Sequence, residues 1–233
     1  MLTFLKEYSR AILKGNIPAV TSFQYYKRWK HLLGKDPINE KLPWITFKAI
    51  DFIKKNTKCT DKVFEYGGGG STLYFLDRVA EVVTVEHDQE WFRILQRKID
   101  AENSIRWYGQ LILPENPINT ANLDRSKPTD FFSDAPEFRN ATFRAYSMFI
   151  CQFKDKYFDL VLIDGRARTS CLFFAMSKVK IGGYLLLDNS ERKYYLQHNR
   201  EQLQKNYKLL SKQITPVPYS PFFSQTSIWE RIR

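Results

Sequence analysis

The chain has 233 residues, of which 43% are hydrophobic, enough for one α/β domain with a sizeable core, alone or with an extension. No apolar run approaches the roughly 18 residues of a membrane-spanning helix, and the first residues lack the apolar core of a secretory signal. The three cysteines are scattered and lack C-x-x-C spacing, which argues against a disulfide framework and a zinc site. These features predict a cytoplasmic protein.

The net charge of +11 is concentrated at the two ends of the chain. Residues 1–60 carry twelve Lys/Arg and four Asp/Glu, and residues 191–233 carry eight and three. Residues 61–190 are close to neutral, with sixteen and eighteen. Basic flanks suit an acidic substrate, a nucleic acid or an anionic membrane surface, but they are equally typical of solvated helix faces. No continuous Lys/Arg block decides between these alternatives.

The hydrophobic pattern predicts helices first and then alternating strands and helices. Helices are predicted over 2–15, 23–33 and 44–56, and we interpret residues 1–57 as an N-terminal helical cap or lid. In the remaining domain, 58–233, strands are predicted over 62–66, 81–86, 104–108, 156–164, 184–188 and 226–232. Helices are predicted between them over 71–79, 89–101, 143–153, 170–179 and 192–206. Such alternation predicts an α/β fold with a doubly wound, mostly parallel sheet.

Residues 109–141 lose this periodicity, and we predict an insertion there. A loop this long within a compact domain is usually functional or disordered.

Four successive glycines, Gly67 to Gly70, separate the first predicted strand from its helix. Glycine lets the backbone turn tightly and approach a ligand closely, and a helix start presents free N–H groups. The loop therefore predicts a nucleotide-like ligand. The alternative is a tight turn that binds nothing.

Two acids refine the choice of ligand. Glu86 ends the second predicted strand about 20 residues after the loop, where a carboxylate can accept hydrogen bonds from ribose hydroxyls. An NAD site would read G-x-G-x-x-G, but Thr72 stands at the third glycine position. Glu65, two residues before the first glycine, suits a ligand that carries positive charge.

The stretch Glu65-x-Gly67-x-Gly69-x-Ser71 resembles the first motif of class I S-adenosylmethionine-dependent methyltransferases, with Ser71 in place of the last glycine. The resemblance covers roughly residues 60–190 and implies a Rossmann-like domain with a seven-stranded sheet. It implies that Gly67, Gly69 and Ser71 hold the methionine part of S-adenosylmethionine. Glu65 would reach the ammonium group directly or through water, and Glu86 would hold the ribose. The adenine pocket would lie after the third strand, near residues 108–111.

Asp164, Asp188 and Asn189 end the fourth and fifth strands. Because parallel strands end at one edge of the sheet, we expect Asp164 and Asp188 to border the cofactor and face the reacting centre. Two carboxylates and an amide oxygen suit Mg²⁺ or another divalent cation, and the three positions resemble the metal ligands of catechol-type O-methyltransferases. The alternative is a metal-free site in which these residues shape turns and orient the substrate. That family has a lysine after the first acid, whereas Arg166 follows here.

Three arginines, Arg166, Arg168 and Arg192, follow the same strand ends and are candidates to bind an acidic substrate; the alternative is that they pair with acids of the protein. The stretches Asp-Gly-Arg-x-Arg and Asp-Asn-Ser-x-Arg are similar to those of a group of bacterial methyltransferases, including glucuronic-acid O-methyltransferases. This implies a small-molecule or sugar acceptor, with an acidic one among the candidates. Glu191 is a further candidate base, and the side chain of His87 is expected to point away from that of Glu86.

Our leading hypothesis is methyl transfer from S-adenosylmethionine to an oxygen of a small molecule or sugar, with or without a metal. The second is a methyltransferase that docks nucleic acid through the basic flanks. The sequence lacks the Asn/Asp-Pro-Pro-aromatic motif of amino-directed nucleic-acid methyltransferases, which favours oxygen. The third is a binding protein that keeps the fold without catalysis. The sequence makes no prediction of the oligomeric state.

Overall fold

The structure is a computed structural model that describes residues 1–13, 17–102, 104–116, 122–133 and 135–233, without the side chains of 17–20. Its strands are β1 (Lys62–Tyr66), β2 (Glu81–Glu86), β3 (Trp107–Leu111), β4 (Phe158–Ile163), β5 (Val179–Leu187), β6 (Tyr207–Pro216) and β7 (Phe223–Arg231). Its α-helices are α1 (Leu2–Leu13), α2 (Tyr26–Leu32), α3 (Pro37–Glu40), α4 (Phe47–Asn56), α5 (Gly70–Leu76), α6 (Gln89–Ala101), α7 (Arg144–Met148), α8 (Arg168–Ala175) and α9 (Arg200–Asn206). Short 3-10 helices cover Ile17–Tyr25, Pro128–Asp130, Pro136–Phe138, Phe149–Gln152 and Lys193–Tyr195.

The seven strands form one sheet in the order β3-β2-β1-β4-β5-β7-β6. The first five are parallel, and β7 is antiparallel to both β5 and β6. The predicted doubly wound, mostly parallel seven-stranded sheet is confirmed. Strand order reverses between β1 and β4, which is where ligands bind in open α/β sheets.

Two hydrophobic cores cover the two faces of the sheet. Neighbouring residues of a strand point to opposite faces, so Val63 packs in one core and Phe64 in the other. Phe47 and Ile50 of α4 share the first core with Ile228 of β7. The N-terminal helices therefore bury apolar surface against the sheet itself. The division of the chain at residue 57 stays a prediction.

Several predicted boundaries were wrong. The strand predicted over 104–108 lies at Trp107–Leu111, because β3 pairs with β2 in the register Val82 to Trp107. The helix predicted over 192–206 is split into a 3-10 turn and α9. Strand β6 was not predicted, since it lies at the sheet edge and exposes three successive residues, 208–210, which blurs the alternation.

The segment predicted as an insertion begins within β3 and is closed by isolated bridges from Glu115 and Phe132 to Thr142. Residues 117–121 and 134 of this segment, and residues 14 and 15 of the first predicted helix, lie outside the described residues. Among the helices that the structure describes, none combines the length and the apolar character needed to cross a membrane.

Candidate active site

The glycine loop turns the chain from β1 into α5 at the switch point of the sheet. Gly67 has a φ of +87°, and a Cβ atom there would lie 3.0 Å from the Cα of Gly165. Both facts require glycine at this position, because a side chain would strain the backbone and crowd the turn after β4. The amide of Gly67 donates to the carbonyl of Val85 at 2.9 Å, which ties the loop to β2.

Glu65 lies beneath this loop and is fully buried. Its carboxylate accepts hydrogen bonds from the hydroxyls of Ser71 (2.6 Å), Thr84 (2.8 Å) and Thr72. Burial raises the pKa of Glu65 from 4.5 to about 7. Glu65 is not among the residues that line the cleft in front of the loop, so it positions the loop from below in the unliganded protein.

Glu86 lies at the end of β2 with its carboxylate beside the loop. One oxygen accepts from the amide of Gly68 at 2.9 Å, and the other accepts from the amides of His87 and Asp88 at 2.7 and 2.9 Å. The prediction that His87 points away was wrong. Its Nδ1 lies 2.6 Å from the Glu86 carboxylate, because the chain bends after β2 and turns the ring back.

A cleft of about 600 Å³ opens in front of the loop. Glu86, His87 and Trp91 line one side, and Asp164 and Asp188 line the other. The indole N–H of Trp91 donates to the carbonyl of Gly68 at 2.7 Å and fixes the ring beside the loop. The described lining residues include four carboxylates and two guanidinium groups, so the cleft suits a ligand that carries positive charge.

The N-terminal segment forms the upper rim of this cleft through Pro37 and Trp44. A Cβ atom on Gly70 would lie 2.3 Å from the carbonyl oxygen of Pro37, so this segment packs directly on the first turn of α5. The Trp44 ring is half exposed and packs edge-to-face on Tyr219 at 5.8 Å. The interpretation of residues 1–57 as a cap or lid stays a prediction.

Asp164 and Asp188 meet at the strand ends, as predicted, with a buried guanidinium between them. Arg168 lies 2.9 Å from the Asp164 carboxylate and 3.5 Å from that of Asp188. It also donates to the backbone carbonyls of Gly165, Asp188 and Asp164 at 3.0, 2.6 and 3.1 Å. Arg168 thus makes four hydrogen bonds within the protein and an ion pair with Asp188.

The surroundings of the two carboxylates disfavour their negative charge. Burial and the proximity of Asp188 raise the pKa of Asp164 well above its ordinary value, and burial raises that of Asp188. Thr226 donates to Asp188 at 2.6 Å, whereas the Asp164 side chain stays 22% exposed toward the cleft. Of the pair, Asp164 is the one that a ligand can reach.

This arrangement does not fit the predicted divalent cation. The Arg168 guanidinium already provides the positive charge between Asp164 and Asp188, and a cation in contact with both would face it at close range. The amide nitrogen of Asn189, the third predicted ligand, donates to Ser224 at 2.8 Å. Within the described residues, no group of three His, Cys, Asp or Glu side chains is arranged to hold a metal.

A second cavity, of about 350 Å³, adjoins the cleft. The two share the turn after β4, at Gly165, Arg166 and Arg168, and the residue after β5, Asn189. The far wall of the second cavity comes from described residues of the predicted insertion, namely 125, 132, 133 and 135–137, and from Arg192, Tyr194 and Tyr195.

No protein-family model matches the sequence, and no curated protein matches it at a significant level. Solved structures do match the fold. A protein from Klebsiella pneumoniae described as an O-methyltransferase superimposes with a TM-score of 0.55 at 12% identity, over 91% of this chain and 97% of that one. A protein from Clostridium thermocellum described as an rRNA methylase gives 0.53 at 15%, over 80% and 94%. One from Streptococcus mutans, described as a methyltransferase and solved with S-adenosylhomocysteine, gives 0.51 at 11%, over 78% and 94%.

The chain has the class I S-adenosylmethionine-dependent methyltransferase fold.

The cleft of this methyltransferase fold has features that fit S-adenosylmethionine. Gly67 and Gly69 leave the loop without side chains along the cleft, and Glu86 offers a carboxylate on one wall. The excess of lining carboxylates suits the positive sulfonium and ammonium groups of that molecule. Gly67, Gly69, Ser71, Glu86 and Asp164 all lie on the cleft, whereas Glu65 lies under it.

The structure also places the predicted adenine segment and Glu191. Residues 108–111 were expected to follow the third strand but belong to β3, and they are not among those that line the cleft. Glu191 accepts from the amide of Gln225 at 3.1 Å and lines a depression beside the cleft, which shares Trp44, Asp188 and Asn189 with it. The role of Glu191 as a base stays a prediction.

Among the residues that sequence reasoning missed, Trp91 lines the cleft and Arg125 lines the second cavity. Trp91 lies three residues after the helix-capping Asp88, and this position at the start of α6 was the available signal. Arg125 carried no signal, since it lies in a segment without periodicity.

Proposed function

We propose that this protein is a methyltransferase that transfers the methyl group of S-adenosylmethionine to an oxygen atom of a small molecule or sugar. The observation that carries the proposal is the convergence of the glycine loop, Glu86 and the Asp164–Arg168–Asp188 cluster on one cleft, which adjoins a second cavity. The cytoplasmic location predicted from the cysteines belongs to the same proposal.

When bound, S-adenosylmethionine supplies a methyl carbon on a positively charged sulfur. An acceptor hydroxyl that took this methyl group would release its proton, which a base of the protein would accept. The protein's part is chiefly to position the reactants and accept this proton. Asp164 is our candidate base, because its carboxylate lines the cleft directly before Gly165, where the cleft and the second cavity meet.

Arg168 then positions the base rather than the substrate. Its four hydrogen bonds to Asp164, Asp188 and nearby carbonyls, with the ion pair to Asp188, hold the strand-end carboxylates in place. Asp188 is held on its other side by Thr226. We propose a reaction without a metal, since the guanidinium occupies the place between the carboxylates.

The proposal is tested by a turnover screen of acidic sugars, phenols and hydroxy acids with methyl-labelled donor, with and without EDTA. We expect labelled product whose rate EDTA leaves unchanged. Loss of activity with EDTA and recovery with Mg²⁺ would overturn the metal-free reaction but not methyl transfer itself.

The cofactor site is tested separately with Glu86→Gln. Calorimetry with S-adenosylhomocysteine should show a weaker affinity by roughly tenfold or more, because a charged hydrogen-bond acceptor is lost. Glu81→Gln is the matched control: it lies at the opposite end of β2, where Glu81 pairs with Lys62 at 3.2 Å. If both variants bound S-adenosylhomocysteine with equal affinity, Glu86 would not be part of the cofactor site.

The second candidate, a methyltransferase that docks nucleic acid, is favoured by the basic flanks and by the rRNA methylase description of one structural neighbour. It predicts RNA binding whose affinity falls steeply with salt. We rank it second because the arginine-lined second cavity, of about 350 Å³, has the volume of a small-molecule site.

A further inference from the structure

The depression beside the cleft has a wall that contacts within the protein hold in place. This wall comes from the loop between β6 and β7, residues 217–222. The indole N–H of Trp29 donates to the backbone carbonyl of Ser220 at 2.9 Å, and the Tyr219 hydroxyl donates to that of Leu42 at 3.1 Å. The N-terminal segment therefore fixes the loop on the side of the depression that faces Trp44.

Two aromatic side chains that line the depression stay exposed. Trp44 is half exposed, and Phe222, in the loop, is 62% exposed. A ligand that covers these rings gains free energy, because apolar surface is removed from water. Trp44 also lines the cleft, so a ligand that rests on this ring lies next to the cofactor site. The two rings favour a ligand with an apolar face.

The rest of the depression is mainly polar. The side-chain amide of Asn189 donates to the Ser224 hydroxyl at 2.8 Å, and the Glu191 carboxylate accepts from the amide of Gln225 at 3.1 Å. A carboxylate can accept about four hydrogen bonds, so Glu191 has capacity for the hydroxyl groups of a ligand. The polar lining therefore favours a ligand that carries hydroxyls beside its apolar face.

The charge of the depression is negative. The described residues that line it include two acids, Asp188 and Glu191, and no lysine, arginine or histidine. Arg168 lies 3.5 Å from Asp188 and balances that charge. An anionic ligand would face Glu191 without a cation in the lining to offset the repulsion. The depression therefore disfavours the acidic acceptor that the three arginines of the sequence suggested.

We propose that the acceptor is a sugar without an anionic group and that one of its rings binds in the depression, with a face against Trp44 and Phe222; this inference rests on the proposed function. The C–H groups of a sugar ring form an apolar face, and its hydroxyls lie at the edge. The depression, of about 220 Å³, is smaller than a whole ligand site of about 300–1,000 Å³, so it holds part of a ligand, on the scale of one ring. The hydroxyl to be methylated lies where the depression meets the cleft, at Asp188 and Asn189.

The test titrates the protein, saturated with S-adenosylhomocysteine, with methyl glucoside and methyl galactoside and with the corresponding uronates. The members of each pair share a ring and differ at one carbon, which carries a hydroxyl in one and a carboxylate in the other. We expect at least one neutral glycoside to bind and its uronate to bind more weakly by roughly tenfold or more. Glu191→Gln keeps an acceptor for the amide of Gln225 and removes the charge, so it should reduce this difference.

Phe222→Ala separates the depression from the cofactor site, because Phe222 is not among the residues that line the cleft. It should weaken binding of the neutral glycoside by roughly tenfold, since apolar surface under the ring is lost, and leave S-adenosylhomocysteine affinity unchanged. Phe173→Ala is the matched control: Phe173 is an exposed ring on α8 that is not among the lining residues of the depression. It should change neither affinity.

Four results would overturn the inference while the proposed function stands. They are no binding of either neutral glycoside at millimolar concentration, uronates that bind as well as their neutral partners, a difference that Glu191→Gln leaves unchanged, and a Phe222→Ala variant that matches Phe173→Ala. If S-adenosylhomocysteine itself does not bind the wild-type protein, the proposed function fails, and the inference fails with it.

Discussion

Gly165, between Asp164 and Arg166, offers a steric test of how the turn after β4 is held. A Cβ atom built on Gly165 would lie 1.9 Å from the Tyr146 hydroxyl, 3.1 Å from that residue's Cζ and 3.1 Å from the Gly67 nitrogen. Its φ does not lie in the left-handed region, so the backbone permits alanine here. Any loss of stability would therefore come from the steric contacts of the added methyl group. The Tyr146 ring is fully buried and has little room to move.

We expect Gly165→Ala to lower the free energy of unfolding by about 1–3 kcal/mol, the usual cost of overpacking. For a chain of this size each kcal/mol corresponds to a fall in Tm of about 2–4 °C. Tyr146→Phe removes the nearest clashing atom but leaves Cζ, so the double variant should recover part of the loss, with a coupling of about 1 kcal/mol or more.

Urea unfolding of the wild type, both single variants and the double variant measures this coupling. Because Gly165 lines both cavities, S-adenosylhomocysteine affinity should fall in Gly165→Ala and recover in the double variant. Strictly additive effects on stability would refute the packing of Tyr146 against this turn.

Three further predictions concern substitutions of Glu65, Arg168 and Trp91. The folded pKa of Glu65, about 7, lies above its ordinary value of 4.5, so its stabilising contribution is complete below pH 4.5 and is lost as the pH rises through 7, by at most about 3 kcal/mol. Glu65→Gln should abolish this part of the pH dependence in urea unfolding; an unchanged slope would contradict the assignment. Arg168→Gln should cost about 3–5 kcal/mol because it leaves buried carboxylates uncompensated, and lysine should not restore the loss; a thermal melt that shows stability near that of the wild type would refute it. Trp91→Ala should weaken S-adenosylhomocysteine binding in calorimetry by roughly tenfold or more, since a ring on the cleft wall is removed; an unchanged affinity would place the cofactor elsewhere.

The central part of the fold was predictable because its signals are local. The β-branched run that ends at Glu86 and the apolar run that ends at Asp164 identify buried parallel strands, and the rule that such strands end at one sheet edge brings their acids together. The edge strand β6 lacked such a signal, since solvent exposure removes the constraint on its side chains.

The chemistry of the site was less predictable, because it depends on which partner each side chain selects in three dimensions. The sequence placed Arg168 near two acids but did not tell whether it would face a substrate or lie between them. Glu65 was predicted to face the cofactor, yet three hydroxyls that are six to nineteen residues away in the chain engage its carboxylate. Arg125 comes to the site through long-range packing alone.

The most direct test of the central claim is calorimetry of the wild-type protein with S-adenosylhomocysteine and, in parallel, with NAD⁺. Binding of S-adenosylhomocysteine at micromolar concentration, with no heat from NAD⁺, is the result that the cleft geometry predicts. No detectable S-adenosylhomocysteine binding, or preferential binding of NAD⁺, would contradict the account.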